Sequence, residues 1–184
     1  VRSLPFLVPP LPETAAAYEA GIRSRYGELA DRFLSLYPSG DIAESALACA
    51  RDALYGWTAL KLAATQGSAG MPFFLYYFDH TYPAANAAGL DGFHACELPY
   101  LFATAGRTPP LWPPVPATER EAALSCAIGG YWISFARDGR PQAQGEPDWR
   151  EHAPAGAYMH FSGTPKVSHG LLPGMFSFND DVVQ

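Results

Sequence analysis

Residues 72–102 read PFFLYYFDHTYPAANAAGLDGFHACELPYLF, and the opening of that stretch decides the fold. Phe73 to Phe78 is an unbroken run of large apolar side chains, bounded by Gly70-Met71-Pro72 on one side and Asp79 on the other. Short, β-rich and closed off by breakers, it predicts a strand buried on both faces. A strand of that kind belongs to a sheet with helices above and below it, which is an α/β architecture. Asp79 to Phe93, rich in Pro, Ala, Asn and Gly, reads as a loop, and Glu97 to Phe102 as a short helix.

On either side of this stretch the pattern is helical. Glu13 to Tyr37 reads as two short helices broken at Gly27 and stopped by Pro38-Ser39-Gly40. From Asp41 the apolar positions Ile42, Ala46, Cys49, Ala50, Ala53, Trp57 and Leu60 recur at steps of three and four, ending near Gln66-Gly67. Thr118 followed by Glu121 is a capping-box signature for a helix through Ala136, with Ala122, Cys126, Gly129, Trp132, Ile133 and Ala136 as its packing face. Tyr158 to Phe161 reads as a short edge strand and the tail from Ser162 as mostly loop. Leu4 to Pro12, dense in proline, predicts an extended lead-in. One or two strands are too few to flank a doubly buried one, so the pattern predicts part of a larger α/β structure.

Composition narrows the function. The chain has 184 residues, 48% of them hydrophobic and 16% charged, which is too apolar for disorder and suits one domain rather than two independent cores. No run of about 18 apolar residues is present to span a membrane. A net charge of −6 with 12 scattered basic residues offers no stripe to neutralise phosphates, so nucleic acid is excluded as a partner. Cys49, Cys96 and Cys126 are odd in number and lack a Cys-x-x-Cys pair; they read as buried structural thiols, with no disulfide framework or zinc site. The chain opens on Val1 with neither an apolar core nor a cleavage signature, as a processed or cut chain would.

Of the five histidines, His94 has the best setting for chemistry. It follows the strand and precedes the short helix, and in α/β sheets reactive groups gather on loops at the carboxyl ends of strands. Gly92 and Ala95 leave room for close backbone packing around its ring. The plainer reading, a satisfied surface or core histidine, applies to any histidine taken singly. Gln66-Gly67-Ser68-Ala69-Gly70 is not a serine elbow: Gln66 stands where the first glycine is needed, and the order is helix, loop, strand rather than strand, turn, helix. It reads as a helix-ending turn. Cys96 lies near His94 but residues two apart need not face each other, and His94 with Glu97 lacks a second histidine at helical spacing for a metal.

Three ordered blocks carry a family resemblance. Phe74 to Phe78 followed by Asp-His-Thr, then GFHACELPYLF at residues 92–102, then YWISFARDGRPQ at residues 131–142, resemble the C-terminal third of the type-B carboxylesterase and cholinesterase-like family of α/β hydrolases. Trp149 after Gly145-Glu146-Pro147 is similar to the family's next aromatic landmark, and residues 161–178 to the terminal region of bacterial members. The resemblance implies that residues 1–184 are the C-terminal part of a single α/β-hydrolase domain, with several helices flanking one or two late strands.

The same resemblance places His94 on the catalytic histidine and Glu97 on the glutamate that follows it, with Ala95 in place of the usual glycine. Glu97 is then a buried group behind the site, while Phe6 and Phe93 are candidates for the apolar wall of a small-molecule ester pocket. It implies no cofactor and no metal, and favours a secreted or periplasmic setting. The family's nucleophilic serine and triad acid lie upstream of the matching segment and have no counterpart here; Glu13, Glu19 and Asp79 read as helix-start or loop charges. The expectation is a serine esterase that is inactive as the isolated chain and needs a companion N-terminal polypeptide. The alternative is a non-catalytic cholinesterase-like recognition module.

Overall fold

A computed structural model describes residues 10–152 and 155–183. Most of the Leu4–Pro12 lead-in, Phe6 included, lies outside the described residues. The chain divides into two compact units, residues 1–68 with 172–184 and residues 69–171. Each has its own buried apolar cluster, where the length suggests one core.

The first unit is helical. Thr14 accepts the amide of Ala17 at 3.2 Å and starts α1 (Ala15–Tyr26), which ends at Gly27 in a positive-φ conformation that suits glycine. A single 3₁₀ turn leads to α2 (Ala30–Leu36). Asp41 caps α3 (Ile42–Arg51), and the helix runs through a π turn at Asp52–Trp57 into α4 (Thr58–Ser68). The final helix, α8 (Pro173–Val182), packs Phe178 with Tyr18, Phe33 and Tyr37. At the π turn Gly56 lies against Phe176: an added Cβ there would sit 2.6 Å from the ring. Asp52, buried in the same turn, accepts from Tyr37 Oη at 3.1 Å and Arg51 Nε at 2.7 Å.

The second unit holds the sheet. β1 (Tyr76–Phe78) pairs in parallel with β2 (Ala157–Phe161), Tyr76 opposite Met159, and β2 pairs antiparallel with β3 (Pro165–His169), Ala157 opposite His169. Between β1 and β2 come α5 (Pro83–Ala87), α6 (Leu98–Leu101) and α7 (Glu119–Asp138). The core gathers Tyr100, Leu124, Ile128, Tyr131, Trp149, Met159 and Phe161 between α7 and the sheet.

Four local expectations need correction. Only Tyr76–Phe78 of the Phe73–Phe78 run enters the ladder, and none of those six side chains is fully buried, because β1 is the edge of the described sheet. Phe73 and Leu75 are instead held singly, by His152 N at 3.1 Å and Met159 N at 2.9 Å. The Tyr158–Phe161 segment is the central strand, not an edge, with Ala157, Met159 and Phe161 buried on one side. The tail beyond Ser162 holds β3 and α8 rather than loop. On α7 the buried face is Glu121, Leu124, Ala127, Ile128, Tyr131 and Ser134, about one residue round from the predicted stripe, leaving Ile133 67% exposed and Cys126 exposed.

Candidate functional site

The end of β1 is tied to the end of β2. Asp79 N and His80 N both donate to the Phe161 carbonyl, at 3.2 and 3.1 Å. The chain then leaves the sheet, forms α5, and returns through Leu90, Asp91 and Gly92 towards α6. Gly92 lies so close to the end of β1 that a Cβ added there would be 3.2 Å from Asp79 Cα. Glycine therefore lets this stretch lie flat on the strand end. Phe93 anchors it from below: the side chain is buried beside Tyr82, Ala85 and Cys96, its ring edge-on to Trp112 at 4.8 Å between centroids.

His94 comes next, on a tight turn closed by Cys96 N to Phe93 O at 3.1 Å and Leu98 N to Ala95 O at 3.0 Å. Its side chain is exposed, while the residues on both sides of it are anchored. Ala95 adopts φ 67°, a left-handed conformation that a Cβ disfavours, so the turn carries strain at the position where the resemblance has glycine. Cys96 points inward; burial, with Glu97 adding to it, pushes the thiol up to about 12, so it is no thiolate nucleophile near neutral pH. Glu97 is half-buried, and its carbonyl accepts from Tyr100 N and Leu101 N, both at 3.0 Å, as α6 begins.

Behind the loop lies a polar cluster that sequence reading missed. Glu121 Oε2 accepts from Tyr100 Oη at 2.6 Å and lies 2.9 Å from His80 Nε2, and all three side chains are buried. Tyr100 is correspondingly held neutral: burial and the neighbouring carboxylate both raise its phenol. The capping signature identified Glu121 for a different reason. Thr118 Oγ1 does accept Glu121 N at 3.3 Å, but the glutamate side chain turns to His80 and Tyr100, while Thr118 N donates to Pro116 O. A carboxylate in the first turn of a long helix, with a histidine and a tyrosine flanking the loop, was the signal available.

The other candidates fall apart from this cluster. His160 Nε2, on the central strand, and Asp79 Oδ1, just past the end of β1, are 2.7 Å apart. Ser68 ends α4 with its hydroxyl donating to Ala64 O at 3.0 Å, consistent with a helix end. Glu19 accepts from Ser39 Oγ at 2.6 Å in the helical unit. Among the described residues no three His, Cys, Asp or Glu side chains converge to hold a metal, and no helix is long and apolar enough to cross a membrane.

The second unit is thus an α/β arrangement with an exposed histidine on a pinned loop that follows a parallel strand. The chain belongs to the carboxylesterase family, whose sequence model matches residues 29–178. It is 30% identical over 134 residues to the medium-chain fatty acyl-CoA hydrolase precursor of Anas platyrhynchos, covering 69% of this chain and 22% of that protein. An acylcarnitine hydrolase of Mus musculus is 29% identical over 131 residues, again 69% and 22%. A thermophilic pNB esterase of known structure superposes with a TM-score of 0.70 at 20% identity, over 93% of this chain and 34% of its own. The expected fold, part of an α/β hydrolase, is therefore present; the chain spans 22% of the curated relatives' length and 34% of that esterase's.

Proposed function

We propose that this chain supplies the triad histidine of a serine carboxylic-ester hydrolase, and that the nucleophilic serine and the triad acid come from sequence outside these 184 residues. The observation that carries the reading is His94 itself: an exposed imidazole on a turn whose neighbours are fixed by Phe93, Gly92 and two backbone hydrogen bonds. In that role His94 takes the proton of the serine hydroxyl as it attacks the ester carbonyl, gives it to the departing alcohol, and then draws a proton from the water that cleaves the acyl-enzyme. A carboxylate from the companion portion orients the ring and stabilises the imidazolium, while backbone donors there hold the oxyanion. Glu97 stands behind the turn. Phe93, buried against Trp112, and Phe6 are the candidates for the apolar wall of the ester pocket.

The companion is an N-terminal polypeptide of the same fold. Among the described residues no strand pairs with the far side of β1, which offers a place for a further strand, and Phe102, Ile133 and Phe135 expose apolar surface that such a portion would cover. Purified alone, the 184-residue chain is expected to hydrolyse an aryl ester no faster than its His94→Ala variant. Mixed or co-expressed with the serine-bearing portion it is expected to turn over, and His94→Ala then lowers kcat about 10⁴-fold or more. His94-dependent hydrolysis by the chain alone defeats the two-part reading, as does an assembled protein whose turnover is indifferent to His94→Ala; a companion that lacks the serine, with no turnover on assembly, leaves the recognition module as the function. Intact mass and a denaturing gel identify the companion.

A further inference from the structure

We propose that Glu121 is a positioning residue for His94: one buried carboxylate closes the base of the 81–99 loop by holding the residue before it, His80, and the residue after it, Tyr100. The consequence for catalysis rests on His94 as the proton shuttle; the clamp itself does not.

The geometry is that of a pin through both ends of a loop. His80 follows β1 directly, with its amide fixed to Phe161 O at 3.1 Å. Tyr100 sits in α6, where the loop returns. Both side chains meet the same oxygen, Glu121 Oε2, at 2.9 and 2.6 Å, and their rings lie edge to face at 5.5 Å. Relative exposures of 3% for His80, 1% for Tyr100 and 8% for Glu121 leave almost no water to substitute for a lost partner. A buried carboxylate without donors is strongly disfavoured, so the loop ends and α7 hold one another in place.

Two features make α7 a firm base for that pin. Glu121 lies in its first turn, where the helix dipole favours negative charge, and its amide is capped by Thr118. One turn further on, Ser125 Oγ donates to the Tyr100 carbonyl at 2.6 Å, so α7 grips this one residue of α6 by side chain and by backbone. Between the pinned ends, Gly92 rests on Asp79 and Phe93 fills the apolar cluster, which leaves His94 at the crown of a loop with a fixed footing.

Amide hydrogen exchange on the 184-residue chain and on its Glu121→Gln, Glu121→Ala and Tyr100→Phe variants tests the clamp without any appeal to hydrolysis. In Glu121→Ala the amides of Leu90, Cys96 and Leu98 are expected to exchange at least about tenfold faster, the size a lost charge-assisted hydrogen bond gives. Met159 and Val167 in the sheet keep their protection. Glu121→Gln, which preserves shape and one acceptor oxygen, falls between, and Tyr100→Phe loosens Cys96 and Leu98 more than Leu90. In the assembled enzyme the same order appears in kcat, with KM unchanged. Faster exchange everywhere, or none in the loop, overturns the clamp. A loosened loop in an assembled protein whose turnover ignores His94→Ala leaves the clamp standing and removes only its catalytic meaning.

Discussion

Ala95 holds a left-handed backbone, φ 67°, one residue after the proposed proton shuttle. The methyl group is what makes that conformation unfavourable; the turn needs it because Leu98 N must reach Ala95 O and Cys96 N must reach Phe93 O. Ala95→Gly is therefore expected to stabilise the chain by about 1 kcal/mol, the relief of strain outweighing the added freedom of the unfolded glycine, as read from the midpoint of urea unfolding. The strain is local, so the sheet amides should be unchanged. Within sight of the same turn Cys96 shows how burial decides chemistry: a thiol two residues from His94 in sequence is silenced because it faces the apolar cluster instead of the imidazole.

At the scale of elements, α7 sets the second unit. Its buried face carries Tyr131, fully buried, with its hydroxyl donating to Pro147 O at 2.5 Å, whereas Ile133 two positions on is 67% exposed. Tyr131→Ala is expected to cost about 3–5 kcal/mol and Ile133→Ala within about 0.5 kcal/mol, measured by denaturant unfolding of the chain alone. The start of α7 was legible because Thr118 is a capping residue and caps as such, and Thr14 and Asp41 cap α1 and α3 in the same way. The face of α7 was not, since Ala, Leu and Ile occur all round it and only the position of the sheet chooses between them. β3, PKVSH, has no apolar alternation to betray it and exists by pairing with β2; α8 did carry a signal, Pro173 in its first turn ahead of Met175, Phe176 and Phe178. The place of His94, exposed on the loop between β1 and α6, was legible in the sequence. The Glu121 cluster was not, because it joins three residues that only the packing of α6 and α7 against the strand end brings together.

For the molecule as a whole, the helical unit is built from two distant stretches of chain, residues 1–68 and 172–184. α8 is fastened to the rest of that unit by Trp57 Nε1 donating to Asp180 at 2.7 Å, by Arg32 with Asp181 and Ser177, and by the ring of Phe178 against Phe33 at 5.6 Å. Deleting residues 172–184 removes Phe176 and Phe178 from the core and is expected to destabilise this unit by more than about 3 kcal/mol. Loss of protection at the Tyr37 amide, which donates to Phe33 O at 2.8 Å, reads that outcome; a Tyr37 amide that stays protected contradicts it.

The parallel pairing of Tyr76 with Met159 also reaches back to the ribosome. β1 emerges while its neighbour β2 is still unwritten, and at ordinary translation speeds the wait lasts roughly 4–17 s. During that interval Phe73 to Phe78 is a nascent, aromatic segment whose β2 side has no strand to pair with. Co-translational escort of this segment by a holdase, or slow codons placed after β2 rather than before it, would decide how much of the newly made chain reaches the native state.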